Sequence, residues 1–211
     1  MKKIVLLITF ALSLSLSAQS PYEKGMTKAF DLWEQEKITE ATNLFERIAK
    51  AEKNNWIPYY YTGYINIMSA FGKKEEAKLQ AQLEKASDYL DNALLLSPKN
   101  AEIMIIKALK NIAYIAFDGQ KYGMSLSVKN TAIYEAAIQI APNNPRVILG
   151  NAEWDMGAAR FFGKSTEPYC KNVARALELF KLEEKSKIKF APSWGQERAE
   201  EVLNQCRQQC E

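Results

Sequence analysis

The stretch Asn92–Ile103, NALLLSPKNAEI, is answered 44 positions later by Ala136–Val147, AAIQIAPNNPRV. Ala93 falls on Ala137, Pro98 on Pro142 and Asn100 on Asn144, with apolar residues on both sides of each proline. Proline lacks an amide N–H and clashes with the preceding turn, so it sits at the start of a helix or outside it. Asparagine accepts the free amides of a helix start. Each stretch therefore reads as helix end, turn, helix start. Its recurrence predicts one structural unit used more than once.

The same interval extends in both directions. Phe45, Leu90, Tyr134 and Phe180 fall into register at steps of 45, 44 and 46 residues. Ala41, Ala86, Asn130 and Ala176 stand four positions earlier, and Ile48, Ala93 and Ala137 three positions after the first three. A spacing of i, i+4, i+7 is a helix period, not a strand period. A second ladder, Gly63, Ala108, Ala152 and Ala199, places small residues where helices approach closely. Pro58, Pro98, Pro142, Pro145 and Pro192 mark junctions. The pattern predicts helices over 22–36, 39–53, 56–71, 75–96, 101–117, 125–140, 145–160, 167–187 and 194–209. Asn100, Asn144 and Ser193 are the expected caps, and Gly119 and Gly123 are expected to bracket a loop.

On these residues the chain resembles the tetratricopeptide repeat family. Tyr59, Gly63, Ala86, Leu90, Ala93 and Pro98 match one unit of its pattern. Ala108, Tyr134, Ala137 and Pro142 match the next, and Trp194 and Ala199 open a terminal half-unit. The resemblance implies an all-α fold: a right-handed superhelix of antiparallel helix hairpins, about four repeats closed by a C-terminal capping helix. The family unit has about 34 residues, against about 45 here, a period that a HEAT-like array shares. Gly63 and Ala86 lie 23 apart where the family pattern places 12. Segment 143–164 also resembles a stretch of secreted bacterial tetratricopeptide-like proteins, with Lys164 where they carry a second glycine.

Residues 1–19 differ in kind. Lys2 and Lys3 precede an apolar run from Ile4 to Leu16, followed by small residues, which is the layout of a secretory signal peptide. The run is short for a membrane span of about 20 residues, although an uncleaved anchor is the alternative. Residues 20–211 are read as a single helical-repeat domain. Without residues 1–19 the net charge falls from +3 to +1, which argues against nucleic acid as a partner. No later segment is apolar enough to span a membrane, so the expected location is exported, periplasmic or secreted.

The chemistry of enzymes is hard to place in this sequence. The chain has no histidine, so it lacks the commonest general base and metal ligand. Its three cysteines do not form a zinc set by spacing. No nucleophile elbow or phosphate loop is present. Glu153 and Asp155, two apart on a helix, do not share a face. The reading is non-enzymatic, with no cofactor and no metal. Outside the cytoplasm cysteines act as staples. Counting outward from the turn at Pro192 sets Cys170 against Cys210, with Cys206, one turn short, as the alternative.

In the family that the chain resembles, the first helix of each pair lines a concave surface. Carried over, those positions are Met26, Phe30, Trp33, Tyr60, Tyr64, Ile105, Leu109, Leu149 and Glu153. Such a stripe implies a groove for a peptide or another extracytoplasmic protein, with aromatic anchors, and hence a scaffold or adaptor. Longer helices curling over the groove would instead make those residues core. The rival function is a small-ligand binder that accompanies an envelope solute-uptake system, and it predicts a closed apolar pocket.

Overall fold

Side chains that accept otherwise unpaired amides fix most of the helix starts. In this computed structural model, which describes residues 20–184 and 186–208, Ser20 accepts from the amide of Glu23 and begins α1 (Pro21–Glu34). After α2 (Ile38–Ala51), Asn55 accepts from Ile57 and begins α3 (Trp56–Met68). After α4 (Glu76–Leu96), Asn100 caps α5 (Ala101–Phe117) through Glu102, and Asp118 caps α6 (Gly119–Ile140) through Lys121. Asn144 caps α7 (Pro145–Phe161) through two amides, Arg146 and Val147. Each such cap contributes about 1 kcal/mol. The chain ends with α8 (Glu167–Leu182) and α9 (Gln196–Gln208). Among the described residues there is no strand, so the fold is all-α.

Neighbouring helices pack in pairs: α1 with α2, α3 with α4, α5 with α6 and α7 with α8, and α9 closes onto α8. The ladder predicted from the sequence lies inside. Phe45, Leu90, Tyr134 and Phe180 are all buried, as are Ala108, Ala152 and Ala199. Removing each large side chain of this kind from water contributes about 1.5–3 kcal/mol. Gly63 shows why that ladder needs small residues: a Cβ there would lie 2.6 Å from Cγ of Leu90.

Most boundaries fall within three residues of the sequence reading, and those of α6, α8 and α9 bear on the site. Helix α6 begins at Gly119 rather than 125, because the Asp118 cap carries the helix through both glycines. Helix α8 stops at Leu182, and α9 starts at Gln196 with the Gly195 carbonyl, not Ser193, at its head. The connection between them turns back over the first half of the molecule. There Phe190, in the left-handed region at φ 61°, is held between Tyr22 and Phe30. Lys189 pairs with Glu23 at 2.6 Å.

The disulfide also differs. It joins Cys170 to Cys206, with Cα atoms 5.9 Å apart, rather than to Cys210 as first expected. Ala199, Val202 and Cys206 form the buried stripe of α9, so helical phase turns Cys206 toward α8. Cys210 and the signal-peptide segment 1–19 lie outside the described residues.

Candidate functional site

The first half of α6 stands away from the core. Its buried residues are Asn130, Tyr134 and Ala137, all in the second half. Tyr134 meets Gly150, and Trp154 donates its indole N–H to Thr131 at 3.0 Å, so α6 and α7 touch there. Beyond that contact the two helices part. The opening is a groove of about 1330 Å³. Helix α5 gives it Ile105, Leu109 and Ile112. Helix α6 gives Gly119, Gly123 and Ser127, four residues apart and hence on one face. Helix α7 gives Leu149, Gly150 and Gly157. Met124, Val128, Phe161 and Phe162 line it and are also strongly exposed, so they form its rim.

Of the residues expected on a concave stripe, Tyr64, Ile105, Leu109, Leu149 and Glu153 line this groove. Met26 and Tyr60 lie fully inside the core. Phe30 and Trp33 are half-buried in an aromatic cluster with Phe45 and Tyr61. What covers this half is the α8–α9 connection, through Phe190 and Trp194, and not longer helices. The sequence reading did not single out Tyr134, Gly150 or the Phe161–Phe162 pair as groove residues. The signal was there in Met124 and Val128: two large apolar residues outside the buried stripe of α6.

The arginines at the groove are already engaged. Arg146, 4% exposed, donates to Glu102 at 2.8 Å, to both oxygens of Glu183 and to the Trp194 carbonyl. Burial works to lower its pKa, but the hydrogen bonds and charges of Glu183 and Glu102 outweigh it and hold the pKa above the ordinary value. Burial raises the carboxyl of Glu102 despite Arg146. At the rim Arg198 pairs with Glu153 at 2.7 Å and Glu201 at 3.1 Å. Neither arginine is a free cation. Burial, then the charges of Glu153 and Asp155, push the Tyr134 phenol up. The described residues hold no group of three or more cysteines and carboxylates placed to grip a metal ion.

This architecture has a counterpart among solved structures. The fold resembles that of a haemophore. The HusA haemophore from Porphyromonas gingivalis superposes with a TM-score of 0.78, over 91% of this chain and 96% of that chain, at 22% sequence identity. At that identity the likeness concerns the fold. No family model matches the chain, and no curated protein matches its sequence. Among the described residues, no helix is long and apolar enough to cross a membrane.

Proposed function

We propose that this chain is a non-enzymatic, exported binding protein whose groove holds a bulky, largely apolar small ligand. A porphyrin is the first candidate. The observation that carries the reading is the groove itself. At about 1330 Å³ it exceeds the roughly 300–1,000 Å³ of common ligand clefts, and its lining is apolar with small residues on two of its walls. Glycines at 119, 123 and 157, where an added Cβ would meet nothing within 4 Å, let a flat ring lie close to the helix backbones. The fold shared with a haemophore supports the choice of porphyrin.

The chain has no histidine, and the groove's arginines are paired. A porphyrin here is gripped by its faces and edges rather than through imidazole on the metal. Iron protoporphyrin and metal-free protoporphyrin IX then bind with similar affinity. Export fits the layout of residues 1–19, and the Cys170–Cys206 bond fits an oxidising compartment. Residues 20–211 form the mature domain, read as a tetratricopeptide-like right-handed stack of hairpins.

Trp154 and Trp194 line the groove, so their fluorescence reports occupancy. Titration with haemin and with protoporphyrin IX tests the reading. Saturable quenching at one ligand per chain supports it; no quenching at micromolar porphyrin sinks it.

A second reading rests on the rim. Phe161 and Phe162, 80% and 68% exposed, offer the aromatic anchors that a peptide or an extracytoplasmic protein partner uses. Enrichment of an envelope protein that is lost in a Phe161→Ser/Phe162→Ser variant favours this scaffold role.

A further inference from the structure

Tyr134 occupies the ladder position held by Phe45 and Phe180 in other units. Those two rings fill the same kind of space without a polar atom, so packing alone asks only for an aromatic ring. The hydroxyl is additional. Tyr134 is 3% exposed, and among the described residues its hydroxyl has no side-chain hydrogen-bond partner. Among the described residues, the sealed side-chain atoms without a hydrogen-bond partner belong to Tyr22, Glu46, Glu102 and Asn130, so the Tyr134 oxygen keeps access to the groove, where a ligand that displaces water must replace the lost hydrogen bond. Tyr134 also lines the groove. Gly150 gives it that view: a Cβ at that position would lie 3.0 Å from Cε1 of Tyr134 and 3.2 Å from its hydroxyl. Leu149 and Trp154 stand on the groove side of the same helix. The two arginines of the groove are already paired, Arg146 with Glu102 and Glu183 and Arg198 with Glu153 and Glu201.

We propose that the Tyr134 hydroxyl is the hydrogen-bond donor by which the groove holds an acceptor oxygen, carbonyl or carboxyl, of its apolar ligand. The inference rests on the groove being a ligand site and adds the chemistry that the ligand must carry. A donor aimed into an apolar wall adds little to affinity for hydrocarbon. It selects a ligand whose oxygen reaches this depth, because any other ligand leaves the phenol unpaired in a dry site. The phenol stays protonated throughout the neutral range, since its burial and the nearby carboxylates of Glu153 and Asp155 oppose its ionisation. It therefore donates a proton to an oxygen and does not coordinate a metal as phenolate.

The test compares the intact protein with Tyr134→Phe by tryptophan quenching, using protoporphyrin IX, haemin and, as an unrelated apolar probe with acceptor oxygens, 1-anilinonaphthalene-8-sulfonate. The variant is expected to bind protoporphyrin IX roughly five- to tenfold more weakly, the ordinary worth of one hydrogen bond. Its melting temperature is expected to match that of wild type, because no hydrogen bond to a protein group is lost; a tyrosine that serves only structure loses stability and leaves binding unchanged. Equal affinities with wild-type binding intact overturn the assignment and leave the groove reading standing. A tyrosinate-to-iron charge-transfer band in the haemin complex, lost in Tyr134→Phe, overturns it in favour of coordination. If wild type binds the sulfonate probe but neither porphyrin, the choice of porphyrin falls, and the affinity of Tyr134→Phe for that probe decides the role of the hydroxyl. If wild type binds none of the three, the groove reading and this inference fall together.

Discussion

Trp194 donates its indole N–H to the hydroxyl of Tyr60 at 2.9 Å, across 134 residues of chain. Tyr60 is fully buried on α3, and Trp194 also lies against the Tyr64 ring, 5.1 Å between centroids. Through this bond the connection before α9 becomes part of the core of the first two hairpins. It divides the inner surface into a sealed half and an open half, and the open half is the groove. Replacing Trp194 by Phe keeps an aromatic ring but strands the Tyr60 hydroxyl. The expected loss is about 1–3 kcal/mol in urea unfolding. Tyr60→Phe alone strands the indole N–H, and the double variant is expected to be more stable than the two single losses added together. Strict additivity would show that the bond contributes nothing.

The Cys170–Cys206 bond ties α9 to the start of α8 across a sequence separation of 36. By chain entropy it contributes up to about 4 kcal/mol. Cys206→Ser and reduction of the wild type should lower the melting temperature by similar amounts, and reduction of Cys206→Ser should do nothing further. Cys210→Ser should leave melting and its sensitivity to reductant unchanged. A peptide map that recovers a Cys170–Cys210 bridge would refute the pairing.

Much of this architecture is legible in the sequence, and the failures have physical causes. The repeat in residues 92–103 and 136–147 reports a local event, a helix ending and the next beginning, so Asn100 and Asn144 cap where expected. The ladder of Phe45, Leu90, Tyr134 and Phe180 reports a face of the helix period. Gly119 and Gly123 mislead because glycine's helix cost, about 1 kcal/mol each, is overcome by the Asp118 cap and the length of α6. Counting outward from Pro192 misplaces the disulfide because α8 ends at Leu182, five residues before the expected 187, so Cys170 lies closer to the turn, and the phase of Ala199, Val202 and Cys206 points to the right thiol. The contact between Trp194 and Tyr60 leaves no periodic trace. For that reason Met26 and Tyr60 read as a groove when they are core.

Burial raises the phenols of Tyr60, Tyr61, Tyr64 and Tyr134, and Tyr64 is pushed up to about 12. Their unfolded value is about 10. A raised acid binds its proton more tightly in the folded state, so its contribution to stability is fully present below pH about 10. It is lost as pH climbs from there toward the folded values. Several phenols acting together predict a steep alkaline unfolding. Absorbance near 295 nm should rise in two stages: exposed tyrosines first, then the buried set in step with loss of helix by circular dichroism. A single smooth titration of all ten tyrosines with helix intact would contradict this burial.

Gly123 on α6 and Gly157 on α7 both line the groove, and a Cβ at either would meet nothing within 4 Å. Glycine inside a helix costs about 1 kcal/mol relative to a good helix former, and packing within the chain calls for it at neither place. Gly123→Leu and Gly157→Leu should therefore hold or raise the melting temperature, because the new side chains have open space and better helix propensity. The same side chains would occupy the volume that a flat ring needs. Porphyrin affinity is expected to fall at least tenfold in each variant, and further in the double variant. Stability and binding thus move in opposite directions, which global misfolding cannot produce. Variants that are more stable yet bind porphyrin as tightly as wild type would show that the ligand does not lie between α6 and α7.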